Sequence, residues 1–165
     1  MRFRTDTIHA THIDTALGGV LLAATDLGLC GLWFDAQRHA PRTIGWRMDV
    51  AHPVLRAAAS QLTDYVEGRR RVFDLPLDLS HGTAFQQAVW QELRAIPRGA
   101  TLSYGAIGQR LGRPMATRAV GGAVGRNPIS VVVPCHRVVG ASGALTGYAG
   151  GLDLKRALLA LESAG

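Results

Sequence analysis

The sequence predicts an α+β protein in two parts, strands with a single helix in residues 1–79 and helices around a helix-turn-helix in residues 80–165. Three observations carry this expectation. Short apolar runs separated by turn residues open the chain, from Val20 to Ala24 and from Leu29 to Phe34. After Thr83, apolar residues recur at helical spacing. The breaks at Pro97, Gly99 and Gly112-Arg113-Pro114 then cut that second half into short helices.

Taken in order, Thr25-Asp26-Leu27-Gly28 between the two apolar runs reads as a hairpin turn. His52-Pro53 starts a helix whose stripe is Leu55, Ala58, Ala59, Leu62, Tyr65 and Val66, and Gly68 stops it. From Phe73 to Leu79 apolar and polar residues alternate in an extended segment, which Pro76 confines to an edge. The link between the halves falls around Asp74 to Gly82. Thr83-Ala84-Phe85-Gln86 is a capping box opening a helix with a stripe of Phe85, Val89, Leu93 and Ile96. Helices from about Ser103 to Leu111 and Met115 to Gly125, joined by a tight break, form the helix-turn-helix. Ser130 to Val133 reads as a buried strand, and Leu152 to Ser163 as a last helix.

Apolar residues make up 47% of the chain and charged residues 18%, enough to build a core and exclude disorder. No apolar run approaches the ~18 residues of a membrane span. Met1 to Asp6 carries two arginines, but no apolar signal region follows, so the expectation is a cytoplasmic protein without a leader. The net charge is +6, and Lys155 is the one lysine among 18 basic residues. Such a balance favours a polyanionic partner such as nucleic acid, although a bias toward arginine gives the same count.

The six histidines show no metal-site spacing, so neither metal nor cofactor is expected. Cys30 sits in an apolar run, where a thiol acts as a small hydrophobe. Cys135 lies in Pro134-Cys135-His136-Arg137, where neighbouring positive charge would lower the thiol pKa and favour the nucleophilic thiolate. A buried structural cysteine is the alternative. Adjacent residues on an extended chain point to opposite sides, so His136 would reach Cys135 through a water unless the chain turns there. A third group must then fix the imidazole. Glu162 suits that role, because the end of a helix is otherwise a poor place for a carboxylate.

Arg118, Gly121, Gly122 and Gly125 share one face of their helix. Each helical glycine costs ~1 kcal/mol relative to alanine, so three together need a reason. Either another helix packs closely there, or the bare backbone enters a nucleic-acid groove. The loop Gly140 to Gly151 holds a single aromatic, Tyr148, which either anchors the loop or walls a pocket for a flat ligand.

From Gly82 to Glu162 the chain resembles the O6-alkylguanine-DNA alkyltransferase family, the methylated-DNA–protein-cysteine methyltransferases. The resemblance rests on Phe85-Gln86, Val89-Trp90, Ile96-Pro97, Ser103-Tyr104, Arg118-Ala119-Val120-Gly121, Asn127-Pro128, Pro134-Cys135-His136-Arg137-Val138, Gly147-Tyr148 and Lys155. It implies a ribonuclease H-like α/β first domain and a winged-helix-like second domain. It implies direct-reversal repair, in which Cys135 takes the alkyl group from O6-alkylguanine, and also from O4-alkylthymine, once per molecule. His136 and Glu162 would help form the thiolate, and Tyr104 would crowd the target phosphate and protonate the departing base. Arg118 would fill the stack after base flipping. Thr117, Ala119, Gly121 and Gly122 would lie in the minor groove of double-stranded DNA, and Asn127 would tie that helix to the cysteine segment. The Cys135 and Val138 carbonyls, the Ala149 N–H and Tyr148 would form the base pocket. Thr117 stands where relatives often have alanine, and Ala149 where some have serine. Some relatives bind a structural zinc in the first half, for which Cys30 alone is insufficient. A monomer is implied.

Overall fold

The computed structural model describes residues 7–164. The reading of Met1 to Asp6 as no leader lies outside the described residues.

The chain begins with β1 (His9–Thr15), β2 (Gly18–Thr25) and β3 (Gly28–Phe34), an antiparallel meander. A two-residue strand, β4 (Arg47–Met48), pairs in parallel with β1, giving the sheet order β3-β2-β1-β4. The expected hairpin pairs Thr25 with Gly28. Gly28 has φ +150°, and a Cβ there would meet the Pro76 carbonyl oxygen at 2.5 Å, so glycine is required twice over. Strand β1 escaped the sequence reading because His-Ala-Thr-His-Ile-Asp-Thr carries little apolar alternation.

Helix α1 (Pro53–Val66) lies across β1, β2 and β3, with Leu55, Ala58, Leu62, Tyr65 and Val66 inward. The His52 side chain caps its start by accepting from the Val54 N–H. Segment 73–79 then runs along the outer edge of β3. The Leu29 N–H donates to the Pro76 carbonyl, and the Asp78 N–H to the Leu29 carbonyl, both at 2.8 Å. Pro76 therefore sits at a sheet edge, where its missing donor costs nothing.

The second half packs α2 (Ala84–Arg94), α3 (Tyr104–Arg110) and α4 (Thr117–Gly125) together, with α5 (Leu152–Ser163) closing the chain. The Thr83–Gln86 capping box forms in both directions. In the turn between α3 and α4, the Arg113 N–H bonds the Gly108 carbonyl at 2.8 Å. A Cβ on Gly108 would meet the Arg113 oxygen at 2.9 Å, which explains that glycine. A short parallel pair, β5 (Leu102–Ser103) and β6 (Val138–Val139), ties the start of α3 to the chain beyond Cys135. One apolar cluster runs through both halves, from Val20, Leu22 and Leu32 to Val89, Ile107 and Leu158. No helix among the described residues is long and apolar enough to cross a membrane.

The expected strand over Ser130 to Val133 does not form. Only Ile129 makes a bridge, to Leu32. Beyond it Val131 adopts φ +72°, the Val132 N–H bonds the Ser130 carbonyl, and the Val133 N–H bonds the Ile129 carbonyl. The Asn127 side chain brackets this coil, donating to the Val133 carbonyl at 2.7 Å and accepting from the Ile129 N–H at 3.0 Å. Buried β-branched residues look like a strand in sequence, but here tertiary hydrogen bonds decide the backbone.

Candidate functional site

Helix α4 buries Val120, Ala123 and Val124 and turns its glycines outward. The Trp90 indole N–H fixes it from behind, donating to the Ala123 carbonyl at 2.9 Å. A Cβ at Gly122 or Gly125 would meet nothing within 4 Å, and one at Gly121 only Tyr104 at 3.9 Å. Close helix packing therefore does not explain the glycine face. Gly121, Gly122 and Gly125 instead wall a cavity of ≈ 370 Å³ that Cys135 also lines.

Cys135–Arg137 form one turn of 3-10 helix, not an extended chain, so the opposite-sides geometry of a strand does not apply to His136. The imidazole is wholly buried. Its Nε2 lies 2.7 Å from Glu162 Oε1, and its Nδ1 has no hydrogen-bond partner among the described residues. A carboxylate at Nε2 places the proton there and leaves the Nδ1 lone pair free to accept one.

Glu162 is the hub of a buried network. It accepts from Arg137 Nε at 2.9 Å and Nη2 at 2.7 Å, and from the Tyr65 hydroxyl of α1. Arg137 Nη1 also donates to the Ile96 carbonyl at 2.6 Å. Burial alone would raise the Glu162 pKa, but hydrogen bonds from His136 and Arg137 hold it well below the carboxylate range. The sequence reading set Arg137 beside the thiol as a pKa-lowering charge. That is corrected here, since the guanidinium is spent on Glu162 and Ile96.

Burial raises the Cys135 pKa, and the neighbouring polar side chains of Asn127 and Tyr148 and the Lys155 charge oppose it. Lys155 is itself fully buried, its Nζ donating to the Val138 carbonyl at 2.6 Å and the Thr146 carbonyl at 3.0 Å. Burial lowers the His136 pKa against the pull of Glu162, so the ring stays neutral. The half-buried Tyr104 hydroxyl is pushed up, first by burial and further by Cys135.

The structure gathers most of the expected site. Cys135, Tyr104, Gly121, Gly122, Asn127, Tyr148 and Ala149 all line the cavity. His136 and Glu162 are buried and do not line the cavity, while Thr117, Arg118 and Ala119 are exposed on α4 outside the cavity wall. Val138 is buried, does not line the cavity, and gives its carbonyl to Lys155. Sequence reasoning missed Tyr65 as a partner of Glu162, and missed Arg38 and His39, which line the cavity from beyond β3. Among the described residues, no group of three or more His, Cys, Asp or Glu could hold a metal ion.

A family model described as "6-O-methylguanine DNA methyltransferase, ribonuclease-like domain" matches residues 8–79. One described as "6-O-methylguanine DNA methyltransferase, DNA binding domain" matches residues 84–164. A methylated-DNA–protein-cysteine methyltransferase of Mycobacterium tuberculosis is 48% identical over 155 residues, covering 94% of this chain and 92% of its own. That of Methanosarcina acetivorans is 52% identical over 150 residues, covering 90% and 94%. The crystal structure of Mycobacterium tuberculosis OGT in complex with DNA superposes with TM-score 0.87 at 46% identity, covering 94% of this chain and 93% of that one.

Proposed function

The chain belongs to the 6-O-methylguanine DNA methyltransferase family, and from that premise we propose that it repairs DNA by moving an alkyl group from O6-alkylguanine onto Cys135. The observation that carries the assignment to Cys135 is the arrangement around it. The thiol opens on a cavity walled by the bare face of the helix-turn-helix, and the next residue, His136, keeps Nδ1 free while Glu162 holds Nε2.

In this reading α4 enters the minor groove, with Thr117, Ala119, Gly121 and Gly122 against the duplex. Arg118 fills the gap left when the damaged nucleotide swings into the cavity. His136 takes the thiol proton through a water, and the thiolate attacks the alkyl carbon. The S–C bond forms as the C–O6 bond breaks, and the electron pair leaves with guanine, which Tyr104 protonates. Asn127, Tyr148 and Lys155 favour the thiolate. The Ala149 N–H and the Cys135 carbonyl read the base edge, while the Val138 carbonyl, which the sequence pointed to as a further reader, is taken by Lys155. O4-alkylthymine is a second substrate. The protein acts as a cytoplasmic monomer, with residues 1–79 and 80–165 as its domains.

A thioether has no easy leaving path, so each molecule reacts once. After incubation with excess O6-methylguanine duplex, intact mass should rise by one methyl group, located on Cys135 by peptide mapping. Sustained turnover by substoichiometric protein would exclude the mechanism.

A further inference from the structure

Two exposed basic side chains at the cavity come from the half of the chain that the transfer chemistry leaves unused. Arg38 and His39 follow β3 and line the same cavity as Cys135. The backbone beneath them is constrained, since Ala36 and His39, neither a glycine, have φ of 60° and 59°. Left-handed backbone is unfavourable for a residue with a Cβ and persists only where the surroundings impose it.

Hydrogen bonds at both ends impose it here. The buried Gln37 side chain accepts from the Phe34 N–H at 3.0 Å and from the Ser130 hydroxyl at 3.4 Å. The Arg38 N–H donates to the Ala149 carbonyl at 2.9 Å. The loop is thus pinned to two segments that themselves wall the cavity. Its one carboxylate, Asp35, pairs with His12 at 3.0 Å. Neither Arg38 nor His39 makes an ion pair or side-chain hydrogen bond among the described residues. Arg126, just past α4, adds a third basic side chain to the cavity wall.

We infer that the loop Asp35 to His39 is a lip that grips the phosphodiester backbone of the strand whose nucleotide enters the cavity, with Arg38 as the contacting cation. The inference rests on the repair reading above. A nucleotide cannot reach Cys135 unless its flanking phosphates come to the mouth, where a fixed cation favours the extruded over the stacked form. The strained loop then has a purpose: it sets a positive charge at the mouth and holds the Ala149 segment in place. This gives the first half of the chain a part in substrate binding.

The test uses the full chain, with Arg38→Gln and Arg38→Lys beside the wild type. Affinity for an O6-methylguanine duplex is measured across a salt series, together with single-turnover transfer from that duplex and from free O6-benzylguanine. Arg38→Gln should bind the duplex about tenfold more weakly at moderate salt, with a log–log salt slope shallower by about one unit. Arg38→Lys should recover most of the slope. Transfer from the duplex below saturation should fall far more than transfer from the free base. Wild-type affinity and slope in Arg38→Gln would overturn the lip, and so would an equal loss on both substrates, which means a damaged cavity. If wild type itself transfers no methyl group, the repair reading fails; if it does and Arg38→Gln matches it throughout, only the lip fails.

Discussion

Cys30 lies in the middle of β3, fully buried, and Cys135 in the turn below the cavity, 6% exposed. Both are free thiols whose pKa burial raises. They differ in what stands against burial. Around Cys30 the next influence is the negative charge of Asp78, which raises the pKa further, to about 12. Around Cys135 it is the polar side chains of Asn127 and Tyr148 and a buried lysine, all of which lower it. Reactivity is therefore written in the polar neighbours and not in the degree of burial. Cys30 is core; Cys135 is held ready.

The largest way to break this contrast is to exchange each thiol for a hydroxyl. Cys135→Ser should abolish methyl transfer, while Cys30→Ser should keep it within about twofold of wild type, because Cys30 does not line the cavity and a buried hydroxyl there costs stability rather than chemistry. A Cys30→Ser protein that folds but no longer accepts methyl would sink the comparison.

Lys155→Met sharpens it. The variant keeps the apolar stem and removes the charge that favours the Cys135 thiolate. Each unit by which the thiol pKa rises costs about tenfold in thiolate below that pKa. The pH midpoint for alkylation of Cys135 by iodoacetamide should move upward, with Cys30 unreactive in both proteins. An unmoved midpoint in a protein with the wild-type circular dichroism spectrum would remove Lys155 from the account.

A smaller effect concerns stability against pH. Burial lowers the His136 pKa, so the unfolded state binds a proton that the folded state refuses. Stability from this ring is full above its unfolded pKa of about 6.5 and falls as pH drops below it. The loss grows with each further drop in pH until the folded ring too takes up a proton. His81, lowered by burial to about 4, adds a slope of the same sign. His136→Gln should therefore lose less of its urea midpoint between pH 7.5 and 5.5 than wild type does. Equal losses would mean that His136 titrates normally and is not sealed against Glu162.

Much of this was legible in the sequence because it is local. The Thr83–Gln86 capping box, the Thr25–Gly28 turn and the outward glycines of α4 are each set by residues three or four positions apart. The role of Glu162 showed because a carboxylate at a helix end needs a partner. What stayed hidden depends on side-chain hydrogen bonds and contacts that no periodicity encodes, whether near or far along the chain. Ser130 to Val133 has strand composition, yet Asn127 coils it through bonds that no spacing rule describes. Arg137 lies two residues from Cys135 in sequence and faces Glu162 in space. Arg38 meets Ala149 across 111 positions of chain (149 − 38), and Tyr65 meets Glu162 across 97.

That last contact gives the smallest prediction and the cleanest. Tyr65→Phe removes one hydroxyl donor from Glu162 and leaves the ring, which also packs on Phe73 at 4.9 Å and beneath the Arg98 guanidinium at 5.1 Å. Glu162 keeps His136 and both Arg137 bonds, so no charge is left unpaired and the loss should be about 1–2 kcal/mol. Burial and then Glu162 push the Tyr65 pKa upward, so its hydroxyl stays protonated well past pH 10. A raised folded pKa means that this stabilisation is complete below the unfolded pKa of about 10 and is lost only above it. The gap between wild type and Tyr65→Phe in urea unfolding should therefore be constant from pH 6 to pH 9. A gap that closes within that range would show that Tyr65 gives up its proton there and no longer donates to Glu162.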